Sequence, residues 1–165
     1  MNRSVRIDVL GTVQGVGYRP FVYRLAHECG VTGNVRNTVH GVIIEAHGPS
    51  ADIDRMVERI RGEHPPLAIV RQVDVKDLDA TAIPSQFTIE SSALGENPAV
   101  DLTRDTATCD DCVRELHNPA DRRYHHPFIN CTNCGPRYTI IKSLPYDRAA
   151  TTMASFPMCG ECERE

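Results

Sequence analysis

The sequence has no tryptophan, and only five tyrosines and four phenylalanines. It also lacks a charge excess of either sign, with 18 Lys and Arg against 22 Asp and Glu, and neither half is strongly basic. Nucleic-acid binding draws on clustered cations and on aromatic platforms for bases, so a nucleic-acid partner is not expected. Nothing approaches the run of about 20 apolar residues that a membrane helix needs. The opening MNRSVRIDVLG enters strand-like alternation directly, without a signal-peptide core. The expectation is a cytoplasmic protein with no membrane association. In that reducing compartment cysteines serve as metal ligands or free thiols rather than as disulfides.

Cysteine is scarce in one half only. Of seven cysteines, residues 1–91 hold Cys29 and residues 92–165 hold the other six. The intervening SSALGENPAVDLTRDTAT is polar, contains Gly and Pro, and has no clear period. This divides the 165 residues into a first domain over 1–91, a linker over 92–104 and a cysteine-rich region over 105–165. A true linker would leave the chemistry of the two halves independent.

Hydrophobic period gives the first domain its elements. Val5, Ile7 and Val9 alternate with polar residues as one strand face. Pro20 suits the first turn of a helix, where a missing N–H costs nothing. Val22, Leu25, Ala26 and Cys29 follow at helical spacing, Gly30 offers a stop, and Cys29 falls on the apolar stripe as a core residue. GNVRNT and GVIIEAHG read as two strands around NTVHG. Ser50 is placed to cap a second helix with the stripe Ile53, Met56, Val57 and Ile60. AIVRQVDV and QFTIES add two further strands. The order βαββαβ, with one extra strand, predicts an α+β, ferredoxin-like sandwich.

Between the first strand and the first helix lies GTVQGVGYRPF, Gly11 to Phe21. Successive amides of a Gly-rich turn form an anion-binding concavity, and a helix N-terminus adds partial positive charge. Arg19 adds a planar fork that takes two phosphate oxygens at once. The stretch is neither a Walker A loop nor GxGxxG. The residues alone leave two readings open, a tight turn with a surface arginine or a phosphate cradle.

GTVQGVGYR resembles the acylphosphatase signature, and GNVRN, Gly33 to Asn37, is similar to its companion motif on the following strand. The likeness covers about the first ninety residues. It implies that Arg19 and the amides of Gln14, Gly15, Val16, Gly17, Tyr18 and Arg19 bind a phosphoryl group, and that Asn37 holds the attacking water. No nucleophilic side chain is needed, because an acyl phosphate already carries a good leaving group. His40, in the loop after Asn37, is expected to be a solvated turn residue rather than a base.

Cys109-x2-Cys112, eighteen residues, then Cys131-x2-Cys134 has the spacing of a four-cysteine zinc site. Gly135 follows the second pair, where a strained backbone position is common. Structural zinc would supply stability that so small a module cannot draw from a core. His125 and His126 are expected on the surface, because four thiolates already complete a tetrahedron. Arg122, Arg123 and Arg137 are expected on a solvated face. Cys159-x2-Cys162 supplies half of a second site, and the expectation is that the chain is a piece of something longer.

The segment DRRYHHPFINCTNCGPR, preceded by an acylphosphatase-like domain and followed by another CxxC, resembles the N-terminal part of the HypF family of hydrogenase-maturation carbamoyltransferases. That resemblance implies carbamoyl phosphate, itself an acyl phosphate, as substrate, and a HypE-type acceptor protein as partner of the full-length family. Two other functions remain open on the residues: a stand-alone acylphosphatase of broader preference, and a zinc-finger module that binds protein or nucleic acid.

Overall fold

The computed structural model describes residues 2–79, 83–91, 104–131, 134, 138–144, 147–157 and 159–161. The elements of the first half are β1 (Asn2–Thr12), α1 (Tyr18–Cys29), β2 (Thr32–Thr38), β3 (Gly41–Pro49), α2 (Ser50–Gly62), β4 (Ile69–Asp77) and β5 (Phe87–Ile89). They form one sheet in the order β4-β1-β3-β2-β5. β1, β3, β2 and β4 pair antiparallel, and the extra strand β5 adds in parallel to the outer edge of β2. This is the ferredoxin-like sandwich that the element order predicts.

Alternation decides which face of the sheet is covered. Val5, Ile7 and Val9 on β1, Val35 on β2, and Val42, Ile44 and Ala46 on β3 are all buried. They pack against Val22, Leu25, Ala26 and Cys29 of α1 and Ile53, Met56, Val57 and Ile60 of α2 in one core. The intervening residues carry charge on the other face. There Arg36 meets Glu45 at 2.8 Å across the β2–β3 pair, and Arg6 meets Asp8 at 2.9 Å along β1. The Arg36 guanidinium beside it holds the Glu45 carboxyl below the usual carboxylate range.

The helix ends follow from local backbone preferences. Gly30 closes α1 in the left-handed conformation, φ 70°, and its N–H reaches back to the carbonyls of the last turn. Ser50 is not the cap of α2: it is already the first helical residue, and the extended Pro49 stands before it. A proline ring fixes φ near the value needed there but offers no side-chain acceptor.

In the second half α3 (Asp110–His117) begins directly after Cys109. Short 3-10 turns follow over Tyr138–Ile140, Arg148–Ala150 and Thr152–Ser155. The expected linker is described only at residue 104, and Gly135, Arg137 and Cys162 also lie outside the described residues. No helix among the described residues is long and apolar enough to cross a membrane.

Candidate active site and metal centre

β1 and β2 both run in the opposite direction to β3, which lies between them. Their C-terminal ends therefore reach the same end of the sheet. Val42 of β3 faces Val9 on one side and Asn37 on the other. The turn that follows β1 and the last residues of β2 are thus brought together by strand register.

That turn is built by two left-handed glycines. Gly15 has φ 70° and Gly17 has φ 75°. Val16 between them is fully buried in the core and pins the loop from beneath. Gly17 is also the N-cap of α1, and it supplies no side-chain acceptor to the first turn. The first turn carries no acidic residue either. Among the described residues its backbone donors thus lack the local cap carboxylate or hydroxyl that usually takes them, as an anion cradle requires.

Gln14 contributes in a way that its backbone role does not cover. Its side chain is 1% exposed, and Nε2 donates to the carbonyls of Thr38 at 2.5 Å and Gly41 at 2.9 Å. The side-chain amide therefore staples this turn to the β2–β3 turn, next to Asn37. In the sequence, a glutamine among glycines is the signal of this. Tyr18 is buried, with its ring 5.6 Å from that of Phe21, and burial pushes its phenol pKa up. Its hydroxyl has no hydrogen-bond partner among the described residues.

Asn37 is 1% exposed and shares the covered face of β2 with Val35. Alternation places an apolar residue at that register. A buried amide there costs free energy unless something polar meets it, and its Oδ1 has no hydrogen-bond partner among the described residues. His40 is exposed in the two-residue turn after β2, as expected.

Arg19, the second residue of α1, is partly exposed, and its Nη2 donates to Asp147 Oδ1 at 2.5 Å. Asp147 belongs to the second half of the chain, 128 positions away in sequence. The two halves of the chain therefore touch at this guanidinium. Nothing in the local pattern around Asp147 announces this contact.

The four cysteines Cys109, Cys112, Cys131 and Cys134 converge, with all sulfurs within 4.8 Å of one another. Individual separations are 3.6 Å for Cys109–Cys131, 3.9 Å for Cys112–Cys134 and 4.0 Å for Cys131–Cys134. A tetrahedron with Zn–S bonds of about 2.3 Å has edges of about 3.8 Å, so the set fits zinc and is far too open for disulfides. Burial and the neighbouring thiols push the Cys112 thiol up, a cost that a bound cation would offset by favouring the thiolate. The backbone N–H of Cys131 lies 3.4 Å from Cys134 Sγ, and Thr106 Oγ1 donates to the Cys134 carbonyl at 2.7 Å. Ile129 and Leu116 close the cluster off. His125 and His126 are exposed and stand outside it, and Arg122 and Arg123 pair with Glu161 and Glu115. Cys159 is exposed.

Comparison with known proteins agrees with this division of labour. The Acylphosphatase family model matches residues 5–89, and the HypF finger model matches residues 108–141. An acylphosphatase of Archaeoglobus fulgidus is 43% identical over 74 residues, covering 44% of this chain and 82% of that protein. The chain belongs to the acylphosphatase family. Its two halves together correspond to the N-terminal acylphosphatase and zinc-finger region of HypF-type carbamoyltransferases. The carbamoyltransferase HypF2 of Cupriavidus necator is 51% identical over 156 residues, covering 94% of this chain and 19% of that protein. A crystal structure of full-length HypF in its phosphate- and nucleotide-bound form superposes with a TM-score of 0.93 at 41% identity, over 99% of this chain and 22% of that one. The chain spans about a fifth of the length of the HypF relatives it matches.

Proposed function

We propose that the chain hydrolyses carbamoyl phosphate, as the N-terminal part of a carbamoyltransferase of the hydrogenase-maturation type. The observation that carries this reading is the left-handed Gly15–Gly17 turn leading into an uncapped helix N-terminus with Arg19 in its first turn. The amides of residues 14–19 and the Arg19 fork surround the phosphoryl oxygens with donors fixed before the substrate arrives. Asn37 accepts a hydrogen bond from a water and so turns a lone pair of the water oxygen toward phosphorus. The water oxygen bonds to phosphorus as the bond to the acyl oxygen breaks. The carbamoyl phosphate dianion and water thus give carbamate and dihydrogen phosphate, each a monoanion, with both water protons on the phosphate. The carboxylate leaves without needing a proton, so positioning and charge stabilisation suffice.

The division into a domain over 1–91, a linker over 92–104 and a finger region over 105–165 is part of this reading. So are a HypE-type acceptor protein as partner of the longer protein and a cytoplasmic setting that keeps the thiols reduced. Cys159 and Cys162 belong on this reading to a second site that the chain supplies only in half.

Arg19→Ala tests the assignment. Hydrolysis of carbamoyl phosphate should fall by about a thousand-fold, and competitive inhibition by inorganic phosphate should weaken. Arg19→Lys should rescue poorly, because a point charge cannot form the two-oxygen fork. Near-normal turnover in both variants removes the phosphate site. Turnover of acetyl phosphate measured alongside distinguishes a carbamoyl preference from a broad acylphosphatase.

A further inference from the structure

We infer that Asp147 is a positioning residue of the acyl phosphate site, supplied by the second half of the chain to hold the Arg19 guanidinium in register. The inference rests on the phosphate-cradle reading above. Its ground is the 2.5 Å charge-assisted contact from Arg19 Nη2 to Asp147 Oδ1, between side chains that are 23% and 31% exposed. An arginine side chain has many rotamers, and fixing it in one costs conformational entropy. A carboxylate that takes one of its five N–H groups removes that freedom beforehand and leaves the other donors for phosphoryl oxygens.

The backbone that carries this carboxylate is itself held. Ala150 N–H donates to the Asp147 carbonyl at 2.8 Å, and both Lys142 and Ser143 donate to the Ala150 carbonyl. Ile141 and Thr151 form a β-bridge across the same turn. Thr151 is buried, and its hydroxyl donates to the Arg148 carbonyl at 2.8 Å. The Arg148 guanidinium in turn reaches the Phe156 carbonyl. Asp147 therefore belongs to a hydrogen-bonded turn.

The acylphosphatase match ends at residue 89, so Asp147 comes from outside that domain. Full-length HypF in its phosphate-bound form has the same arrangement over 99% of the chain, so the placement of the two halves is one that a phosphate-bound relative also adopts.

A positioning carboxylate and a plug that merely occupies the arginine make opposite predictions. Asp147 repels a phosphate dianion through space, so its removal should not weaken ground-state binding. What is lost is the orientation of the fork during phosphoryl transfer. Asp147→Ala should therefore lower kcat for carbamoyl phosphate by about ten-fold, with the inhibition constant for inorganic phosphate unchanged or smaller. Asp147→Asn keeps an acceptor oxygen and should retain kcat within about three-fold of the parent. On an Arg19→Ala background, Asp147→Ala should add nothing, because the proposed effect on turnover runs through the arginine. Zinc content and Tm of Asp147→Ala should match the parent, which separates positioning from a loss of fold. An unchanged kcat, a kcat that rises, or an equal loss on the Arg19→Ala background each overturns the inference. A normal effect of Arg19→Ala in that same experiment leaves the cradle reading standing, whereas an inert Arg19→Ala removes both.

Discussion

Single positions carry the proposed chemistry, and the informative ones break a local rule. Asn37 sits where the strand period calls for an apolar side chain, and Gln14 is a buried amide in a glycine turn. Asn37→Ala removes the proposed water acceptor but no donor to the phosphoryl oxygens. It should lower kcat by about 100-fold while the inhibition constant for phosphate changes little, a split that steady-state kinetics with phosphate as competitor will read. A raised KM at constant kcat would instead place Asn37 on the substrate. The two positions of the proposed chemistry, Arg19 and Asn37, are legible in the sequence because their motifs are short and local. The Gln14 bonds to Thr38 and Gly41 are only half legible. The residue stands out, but its partners are backbone carbonyls on another part of the sheet, and no spacing rule encodes those. Asp147 is not legible at all, because a contact across 128 positions leaves no mark in either local pattern.

At the scale of elements, the site is a junction where one strand, one turn and one helix must meet at fixed angles. The alternation of β1 and the stripes of α1 and α2 dictate the sandwich, and the structure follows them closely. The start of α2 falls one residue earlier than the serine rule implies, because Pro49 already presets the entry into the helix. The turn before α1 depends on backbone conformations that side-chain pattern hardly records. Gly17 holds φ 75°, ψ 16° at the N-cap, and a Cβ in the left-handed region costs about 1–2 kcal/mol. Gly17→Ala should lower stability by roughly that amount in urea unfolding. It should also weaken inhibition by phosphate, because the amides at the head of α1 must shift. An alanine variant with lower stability but unchanged phosphate affinity would show that the turn shapes the fold and not the anion site.

For the whole molecule, the question is whether two small modules share a chain or share a site. The zinc ligands can be read from cysteine spacing, since two CxxC knuckles and a tetrahedral ion leave little choice, and the four sulfurs do converge. A linker between the halves predicts no coupling of that centre to the cradle. The Arg19–Asp147 contact instead joins the second half of the chain to the proposed cradle. Zinc holds the finger together because Ile129, Leu116 and the cysteines alone make too small a core to fold unaided. The chain should therefore carry about one tightly held zinc ion, and Cys131→Ser should lose it. The acylphosphatase half keeps its own core and should remain folded. Its activity should nevertheless fall to the level of Asp147→Ala, about ten-fold below the parent, and not to the level of Arg19→Ala. Zinc content by metal analysis and carbamoyl phosphate hydrolysis on one sample decide the matter. Full activity in a zinc-free chain would mean that the finger is only a passenger on the acylphosphatase domain. Complete loss would mean that the metal centre supports the cradle itself, through contacts beyond the one carboxylate.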